Sequence, residues 1–234
     1  MTNPFSFKPL GILLTVTTVV TAATLTLSAQ RASADISPLR QTGVLETLQG
    51  THTFSGTAGQ LVLITVTSDD FDTALTVLAP DGAELGAELL TSGNFGRSLN
   101  PSVVLTLPTT GDYQLIARSP YGQGGTYEVS VRVATPYDQA YANGLSLVAA
   151  GNYSEAIAAF NQAIQLDPKQ PSTYIDLADA IYTEATTLKP EEQEDVVSNY
   201  RRAADLYEQA GDTEMAESLR EQANYFQPIE VPAP

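Results

Sequence analysis

Residues 125–150 read GTYEVSVRVATPYDQAYANGLSLVAA, and within this stretch the spacing of apolar side chains changes. From Tyr127 to Val133 every second residue is apolar, which is typical of a strand with one solvated face. From Tyr137 onward the apolar residues follow a helical spacing instead. The sequence therefore predicts a β domain followed by an α-helical domain, with the boundary at about Thr135-Pro136.

The β half extends over residues 43–133. Leu61–Thr67 is rich in β-branched residues and apolar on both faces, which predicts a buried strand. Further strands are expected at 73–79, 102–107 and 112–118, separated by the turn sequences Pro80-Asp81-Gly82, Thr110-Gly111-Asp112 and Gly122-Gln123-Gly124-Gly125. Short strands at this spacing predict an antiparallel, jelly-roll-like β-sandwich over residues 35–135.

The second half contains five segments with helical periodicity, which cover residues 140–149, 154–166, 171–188, 191–210 and 212–226. Pro171 and Pro190 lie near helix starts, where the missing N–H costs little. Gly151 and Gly211 lie where a helix must end and the chain reverse. These signals predict an α-helical array of about five helices over residues 136–226. The proline-rich segment 227–234 is expected to be extended or disordered.

Composition excludes several classes of protein. The 234 residues include 11 Lys and Arg, 27 Asp and Glu, no Cys and no Trp, and the formal net charge is -16. Without cysteine the chain has no disulfide, thiolate nucleophile, zinc-thiolate site or iron–sulfur cluster. A surface this acidic repels phosphate backbones, so we expect no nucleic-acid partner.

The first 34 residues are predicted to be a signal peptide. Lys8 precedes an uncharged run from Leu10 to Leu27, and Ala32-Ser33-Ala34 places small residues at a cleavage site. Cleavage after Ala34 would give an extracytoplasmic protein without membrane insertion, in the periplasm, the medium or a thylakoid lumen. The alternative is a retained anchor, because 18 uncharged residues are near the lower limit for a spanning helix.

The β half resembles the bacterial pre-peptidase C-terminal domain. The motifs that carry the resemblance occur in order as Phe54–Gln60, Ser68–Leu75, Ala79–Gly82, Thr110–Tyr113 and Gly125–Tyr127. The resemblance implies a non-catalytic accessory β-sandwich of the kind found on many secreted proteins. It also implies that Phe71 points inward and that Asp72 bonds loop amides.

The helical half resembles tetratricopeptide (TPR) repeats, whose period is about 34 residues. The repeat positions of the first unit are occupied by Gly144, Leu147, Gly151, Tyr153, Ala156, Phe160, Ala163 and Pro168. A second unit begins at Tyr174, and a last one fits Tyr200, Ala203, Ala204, Tyr207, Gly211, Ala216 and Ala223. Because five helices are barely enough for such an array, we expect the β-sandwich or a partner to cover one open end.

In the resembled repeats, the first helix of each pair lines a concave groove that binds protein partners. The corresponding residues here are Tyr141, Leu145, Val148, Ile175, Asp179 and Tyr182. A groove with these side chains would suit a peptide that has apolar anchors and Lys or Arg. The alternative is that Leu145 and Val148 pack against neighbouring helices.

Candidate catalytic and metal-binding residues are few. His52 is the only imidazole, and no Gly-x-Ser-x-Gly motif accompanies it. Asp69, Asp70 and Asp72 could supply oxygen ligands to calcium, but their spacing also fits a turn whose amides are capped by carboxylates. Nothing in the sequence arranges Asp81, Glu84 and Glu88 as a glycosidase pair.

The sequence therefore predicts a non-enzymatic, extracytoplasmic protein-binding scaffold with no cofactor. Two alternatives remain open. One is a calcium-dependent adhesin or enzyme accessory protein that uses the Asp69–Asp72 loop. The other is an assembly or stability factor for a membrane complex.

Overall fold

Two four-stranded antiparallel sheets form the first half of the part described by the computed structural model, which comprises residues 38–45, 49–85, 101–185 and 187–227. The strands are β1 Leu39–Leu45, β2 Gln49–Gly56, β3 Leu61–Thr67, β4 Ala74–Leu78, β5 Glu84–Leu85, β6 Ser102–Thr106, β7 Gly111–Arg118 and β8 Gly125–Val133. The sheet orders are β1-β8-β3-β6 and β2-β7-β4-β5. The predicted antiparallel β-sandwich is confirmed.

Period-two patterning places the apolar side chains of both sheets in one core. Ile64 pairs with Val131 and Val66 with Val129, so four buried side chains of β3 and β8 lie on the same face. Burial of a side chain of this size contributes roughly 1.5–3 kcal/mol, so the core is the main stabilising term of this half. The second face of β3 is only half-buried, because Leu61 and Leu63 line clefts beside the first helix.

Five helices follow within the described residues. They are α1 Pro136–Ala149, α2 Tyr153–Leu166, α3 Pro171–Glu184, α4 Pro190–Gln209 and α5 Thr213–Tyr225. Proline begins α1, α3 and α4, and Gly151 and Gly211 adopt positive φ angles of 77° and 88° after α1 and α4. The predicted helical array is confirmed, although α3 ends four residues early. The chain is already extended at Ala185, and Lys189 is extended as expected before proline.

Each helix packs against the next along the chain. Between α1 and α2 the close approach depends on Gly144, because a Cβ at this position would overlap the ring of the fully buried Phe160. Four alanines of α4 and α5 are fully buried in the core shared by α3, α4 and α5: Ala203, Ala204, Ala216 and Ala223. Small residues at the repeat positions therefore let neighbouring helices approach, as the TPR resemblance implied.

The junction between the two halves is held by Asp138, in the first turn of α1. Its carboxylate accepts hydrogen bonds from both terminal nitrogens of Arg132, at 2.6 and 2.8 Å, and from the Thr135 backbone N–H at 2.7 Å. The Thr135 hydroxyl caps the Asp138 N–H in return. These bonds link the end of β8 to the start of α1, and α1 lies beside β6 at the edge of the sheet.

The predicted signal peptide, its cleavage site after Ala34 and residues 228–234 of the predicted tail lie outside the described residues. Within the described part of the chain, no helix has both the length and the apolar character needed to cross a membrane.

Gly144→Ala tests the contact between α1 and α2. Alanine alone would favour an exposed helix by about 1 kcal/mol over glycine, but here the added Cβ meets a buried ring. We expect a net loss of about 1–3 kcal/mol in the free energy of unfolding, measured by urea denaturation. Asn143→Ala, at an exposed neighbour on the same helix, is the control and should not destabilise. A Gly144→Ala protein as stable as the wild type would contradict this packing.

Asp138→Asn tests the junction. Burial raises the pKa of Asp138, but the hydrogen bonds from Arg132 and Thr135 outweigh it and hold the pKa below its ordinary value of 3.8. The carboxylate therefore stabilises the fold above about pH 4, and this contribution is lost as the pH falls through the lowered pKa. We expect Asp138→Asn to cost about 2 kcal/mol at pH 7, because Arg132 is only partly buried, and less at pH 3, which lies below the ordinary pKa of the carboxyl.

The matched control for this pH series is Glu128→Gln, which removes the ion pair between Arg40 and Glu128 on the sheet surface. The side chain of Arg40 is 77% exposed in that pair, so we expect little change at either pH. Equal losses for Asp138→Asn at pH 7 and pH 3 would show that the charge of Asp138 does not stabilise the junction.

Candidate functional site

The six predicted groove residues do not form one surface. Leu145 and Ile175 are 9% and 4% exposed and belong to two hydrophobic cores, one around α1 to α3 and one around α3 to α5. Val148 is half-buried against the first of these cores. For Leu145 and Val148 the structure agrees with the packing alternative. The same burial extends to Ile175, for which packing was not foreseen.

Tyr141 is a partly buried link between α1 and α3 rather than an exposed anchor. Its hydroxyl donates a hydrogen bond of 2.5 Å to Asp176 Oδ2, and its ring lies 5.8 Å from Tyr137 and 5.9 Å from Phe160. Burial and the neighbouring Asp176 carboxylate hold the pKa of the Tyr141 hydroxyl well above its ordinary value. Tyr137 makes a parallel link to Thr173 at 2.8 Å. A substitution at Tyr141 would therefore disturb the array itself.

Asp179 and Tyr182, the remaining two predicted residues, lie together in a cavity of about 430 Å³. We call this cavity the aromatic pocket. Its full lining is Asp179, Tyr182, Thr183, Tyr200, Gln222, Tyr225 and Phe226. The repeat positions do not include Tyr225 and Phe226, because both follow the last of them, although two adjacent aromatics at a helix end are a signal in the sequence.

The inner wall of the aromatic pocket is held in place by α4. Phe226 stacks on Tyr200 with ring centroids 5.9 Å apart, and its carbonyl accepts a hydrogen bond of 2.6 Å from Gln193 Nε2. The Tyr200 hydroxyl donates to Asp179 Oδ1 and accepts from Gln222 Nε2. Tyr200 is only 1% exposed. Its contacts with Phe226, Asp179 and Gln222 therefore form a fixed inner wall of the pocket.

The outer wall of the aromatic pocket consists of two exposed rings. Tyr182 is 48% exposed and lies edge-on to Phe226 at 4.9 Å, and Tyr225 is 82% exposed. The surrounding helical half, residues 136–227, carries 16 acidic and five basic side chains. The pocket therefore presents apolar rings within a negative electrostatic field.

The described residues also line other cavities, three of which differ from the aromatic pocket in their lining. One of about 900 Å³ between α2, α3 and α4 mixes apolar side chains with Glu184, Lys189, Glu192 and Asp195. Two more, of about 740 and 310 Å³, lie between α1 and the strands β3 and β6. None of the three is lined by large aromatic side chains as exposed as Tyr182 and Tyr225.

His52 is used within the β-sandwich. Its Nδ1 lies 2.7 Å from Gln41 Oε1 and its Nε2 lies 2.8 Å from the Tyr127 hydroxyl. Burial lowers the pKa of His52, which favours a neutral ring that donates to Gln41 and accepts from Tyr127. A serine hydrolase would require His52 to contact a serine hydroxyl on one side and a carboxylate on the other, and neither of these two contacts is of that kind.

The Asp69–Asp72 loop is built as a turn. Phe71 is buried, as the resemblance implied, and Asp70 Oδ2 accepts a hydrogen bond of 2.7 Å from the Thr126 N–H. Asp70 packs against Gly125, where a Cβ would lie 2.5 Å from the Asp70 Cβ. Within the described ranges, no group of three acidic or histidine side chains is placed to hold a metal ion, and Asp69, Asp70 and Asp72 are no exception.

The three carboxylates considered as a glycosidase pair are Asp81, Glu84 and Glu88. Asp81 Oδ1 accepts from the Ala83 N–H inside a turn, and Glu84 begins β5. Glu88 lies outside the described residues.

Asp70→Ala tests the loop. We expect a loss of about 1 kcal/mol in the free energy of unfolding, because the Thr126 N–H loses its acceptor. Asp69→Ala, at an exposed neighbour, should have little effect. Millimolar calcium should leave the melting temperature unchanged. A calcium-dependent rise that disappears in Asp70→Ala would instead support the calcium-site alternative.

In the comparison with protein families, residues 144–184 match a TPR repeat. This range extends from Gly144 in α1 to the end of α3 and thus includes two helix pairs in contact. The TPR resemblance of the helical half is confirmed. A search of curated proteins found no match.

Solved structures with similarity to this chain include the pre-peptidase C-terminal domain of collagenase from Bacillus anthracis, with 14% identity and a TM-score of 0.31 over 42% of this chain and 90% of that chain. Another is lipase BlEst2 from Bacillus licheniformis in its propeptide form, with 12% identity and a TM-score of 0.29 over 47% of this chain. The match covers 24% of the lipase chain. The described residues thus comprise a β domain of two antiparallel sheets, followed by helices that include a TPR-like segment over residues 144–184.

Proposed function

We propose that this protein is a non-enzymatic, extracytoplasmic scaffold whose helical half binds a segment of a protein partner. The TPR repeat over residues 144–184 supports the general role, since such repeats serve protein–protein interaction. The extracytoplasmic location is supported by the signal-like pattern of residues 1–34. In this proposal the β-sandwich is an accessory domain, fixed to the helices by Arg132 and Asp138.

The observation that carries the proposal is the aromatic pocket. Tyrosine is enriched among residues that dominate binding energy, because a rigid ring buries a large area at low entropic cost. Here the exposed rings of Tyr182 and Tyr225 lie beside the fixed inner wall formed by Tyr200 and Phe226. Binding would therefore require little rearrangement of the pocket.

Charge defines the chemistry of the partner. Asp179 contributes a carboxylate to the pocket lining, and acidic side chains outnumber basic ones by 16 to five in residues 136–227. A complementary segment carries Lys or Arg next to an apolar residue, which would enter between the rings. An exposed loop of a membrane complex with this composition would also satisfy the site.

The test uses labelled peptides in which one Lys or Arg adjoins Leu, Phe or Pro, titrated against the full chain. The double variant Tyr182→Ala/Tyr225→Ala should weaken the binding at least about tenfold, which corresponds to roughly 1.4 kcal/mol. Helicity measured by circular dichroism should be unchanged, because neither side chain is buried. Tyr141→Ala is unsuitable for this purpose, since Tyr141 links α1 to α3.

The matched control is Tyr121→Ala, which removes a tyrosine that is 70% exposed on the β-sandwich. This substitution should leave the affinity for the peptide unchanged. Higher salt should weaken the binding of basic peptides both to the wild type and to the Tyr121→Ala variant. Equal affinities for the double variant and the wild type, or binding that ignores peptide charge, would refute this site.

A further inference from the structure

We propose that the aromatic pocket binds a small quaternary ammonium cation of the choline type, held by its aromatic rings and by the negative charge of Asp179. This free solute is a second class of ligand beside the partner segment of the proposed function. The inference rests on the proposed function only in taking the pocket as a binding site.

The rings of the aromatic pocket are arranged around Phe226. The ring centroid of Tyr182 lies 4.9 Å from that of Phe226 at an interplanar angle of 62°, and Tyr225 lies at 5.3 Å and 88°. Tyr200 stacks on Phe226 at 5.9 Å with an angle of only 12°. Two of the rings are therefore steeply inclined to the other two, and a group in the cavity meets aromatic walls from more than one direction. Such walls suit a rounded cation.

The electrostatics of the lining also favour a cation. The face of an aromatic ring carries a partial negative charge and attracts cations. The helical array already contains one contact of this kind, in which the guanidinium carbon of Arg202 lies 5.9 Å from the ring centroid of Tyr174. Among the described residues that line the aromatic pocket, Asp179 is the only charged one. The lining therefore supplies four rings and a carboxylate, but no basic side chain.

The polar side chains of the pocket are engaged with one another. Asp179 Oδ1 accepts a hydrogen bond from the Tyr200 hydroxyl. The Gln222 amide donates to the same hydroxyl at 3.1 Å, and the Thr183 hydroxyl donates to the Asp179 backbone carbonyl at 2.7 Å. A primary ammonium group would give up hydrogen bonds to water when it entered between the rings. A quaternary ammonium group has no N–H to satisfy, and its methyl groups gain from contact with the rings.

One quaternary ammonium group meets both requirements of the pocket, because it combines apolar surface with positive charge. In a protein segment these properties come from two neighbouring side chains. The cavity volume of about 430 Å³ lies in the range of small-molecule sites, which favours a free solute.

Charge further separates choline from zwitterionic analogues. The helical half, residues 136–227, carries 16 acidic and five basic side chains, and Asp179 adds its carboxylate at the pocket itself. This field repels a ligand that bears a carboxylate of its own. We therefore expect the pocket to prefer choline to glycine betaine, which carries the same trimethylammonium group together with a carboxylate.

The test titrates choline and its neutral carbon analogue, in which a tert-butyl group replaces the trimethylammonium group, into the full chain. We expect choline to bind in the millimolar range and the neutral analogue at least about tenfold more weakly. Ethanolamine, the primary amine that corresponds to choline, should also bind at least about tenfold more weakly. The methyl proton signal of choline should shift upfield on binding, because ring currents act on a group enclosed by aromatic faces.

Two variants of Tyr225, which is 82% exposed, separate the ring from its apolar area. Tyr225→Leu should weaken choline binding at least about threefold more than Tyr225→Phe does, because only phenylalanine retains a π face. Asp179→Asn keeps an oxygen acceptor for the Tyr200 hydroxyl and removes the charge, so it should weaken choline binding at least about threefold. Tyr121→Leu, at a ring 70% exposed on the β-sandwich, is the control and should have no effect.

Three results would overturn the choline site. Equal affinities for choline and its neutral analogue, or for choline and ethanolamine, would show that apolar area or charge alone attracts the ligand. Equal choline affinities of the wild type, Tyr225→Leu and Asp179→Asn would place the cation elsewhere on the acidic surface. Binding of a peptide that carries trimethylated lysine, without binding of choline, would show that the group is held only as part of a protein segment.

Failure of the choline site and failure of the proposed function are distinguishable, because the choline titration contains no peptide. If peptides with Lys or Arg bind and choline does not, only the choline site is refuted. If choline binds and the peptides do not, only the partner segment is refuted. If both bind, choline should displace the labelled peptide, because both occupy the rings of Tyr182 and Tyr225.

Discussion

The bidentate ion pair between Arg132 and Asp138 is the contact on which the arrangement of the two halves depends. The two residues are six positions apart, one at the end of β8 and one in the first turn of α1. Through Thr135 the same carboxylate also caps the helix, so one group defines where α1 begins and how it leaves the sheet. Each later helix packs on its predecessor, and the direction of α1 is therefore transmitted along the array to the aromatic pocket.

Within the array, tyrosine hydroxyls and carboxylates connect helices that small residues have brought together. Tyr141 bonds Asp176 across α1 and α3, and Tyr200 bonds Asp179 across α3 and α4. Such buried polar groups must find partners, because an unsatisfied one would cost free energy. The repeat pattern therefore uses most of its aromatic residues for structure. Among the described residues of the array, the two most exposed rings are Tyr182 in α3 and Tyr225, which follows the last repeat position.

Much of the fold follows from periodicity and turn chemistry. Three features could be predicted from short stretches of sequence: the alternation in β8, the glycines after α1 and α4, and the prolines at helix starts. Each depends on backbone geometry within a few residues. Only part of the candidate site could be predicted from the sequence. Asp179 and Tyr182 were named from their repeat positions and line the pocket. Ile175 and Tyr141 instead pack inside the array, and Leu145 follows the packing alternative, because burial depends on which helix lies opposite.

The sequence by itself determined the order of a β-sandwich and a helical array, and the acidic composition of the chain. These properties depend on short stretches of sequence or on sums over residues, so they can be predicted without knowing which residues are in contact in the folded protein. Only the tertiary structure decided that Phe226 returns to stack on Tyr200, and that Tyr225 lines the same pocket as Tyr182 although 42 residues lie between them in the chain. Contacts across that separation depend on the packing of α3, α4 and α5, which no local pattern encodes.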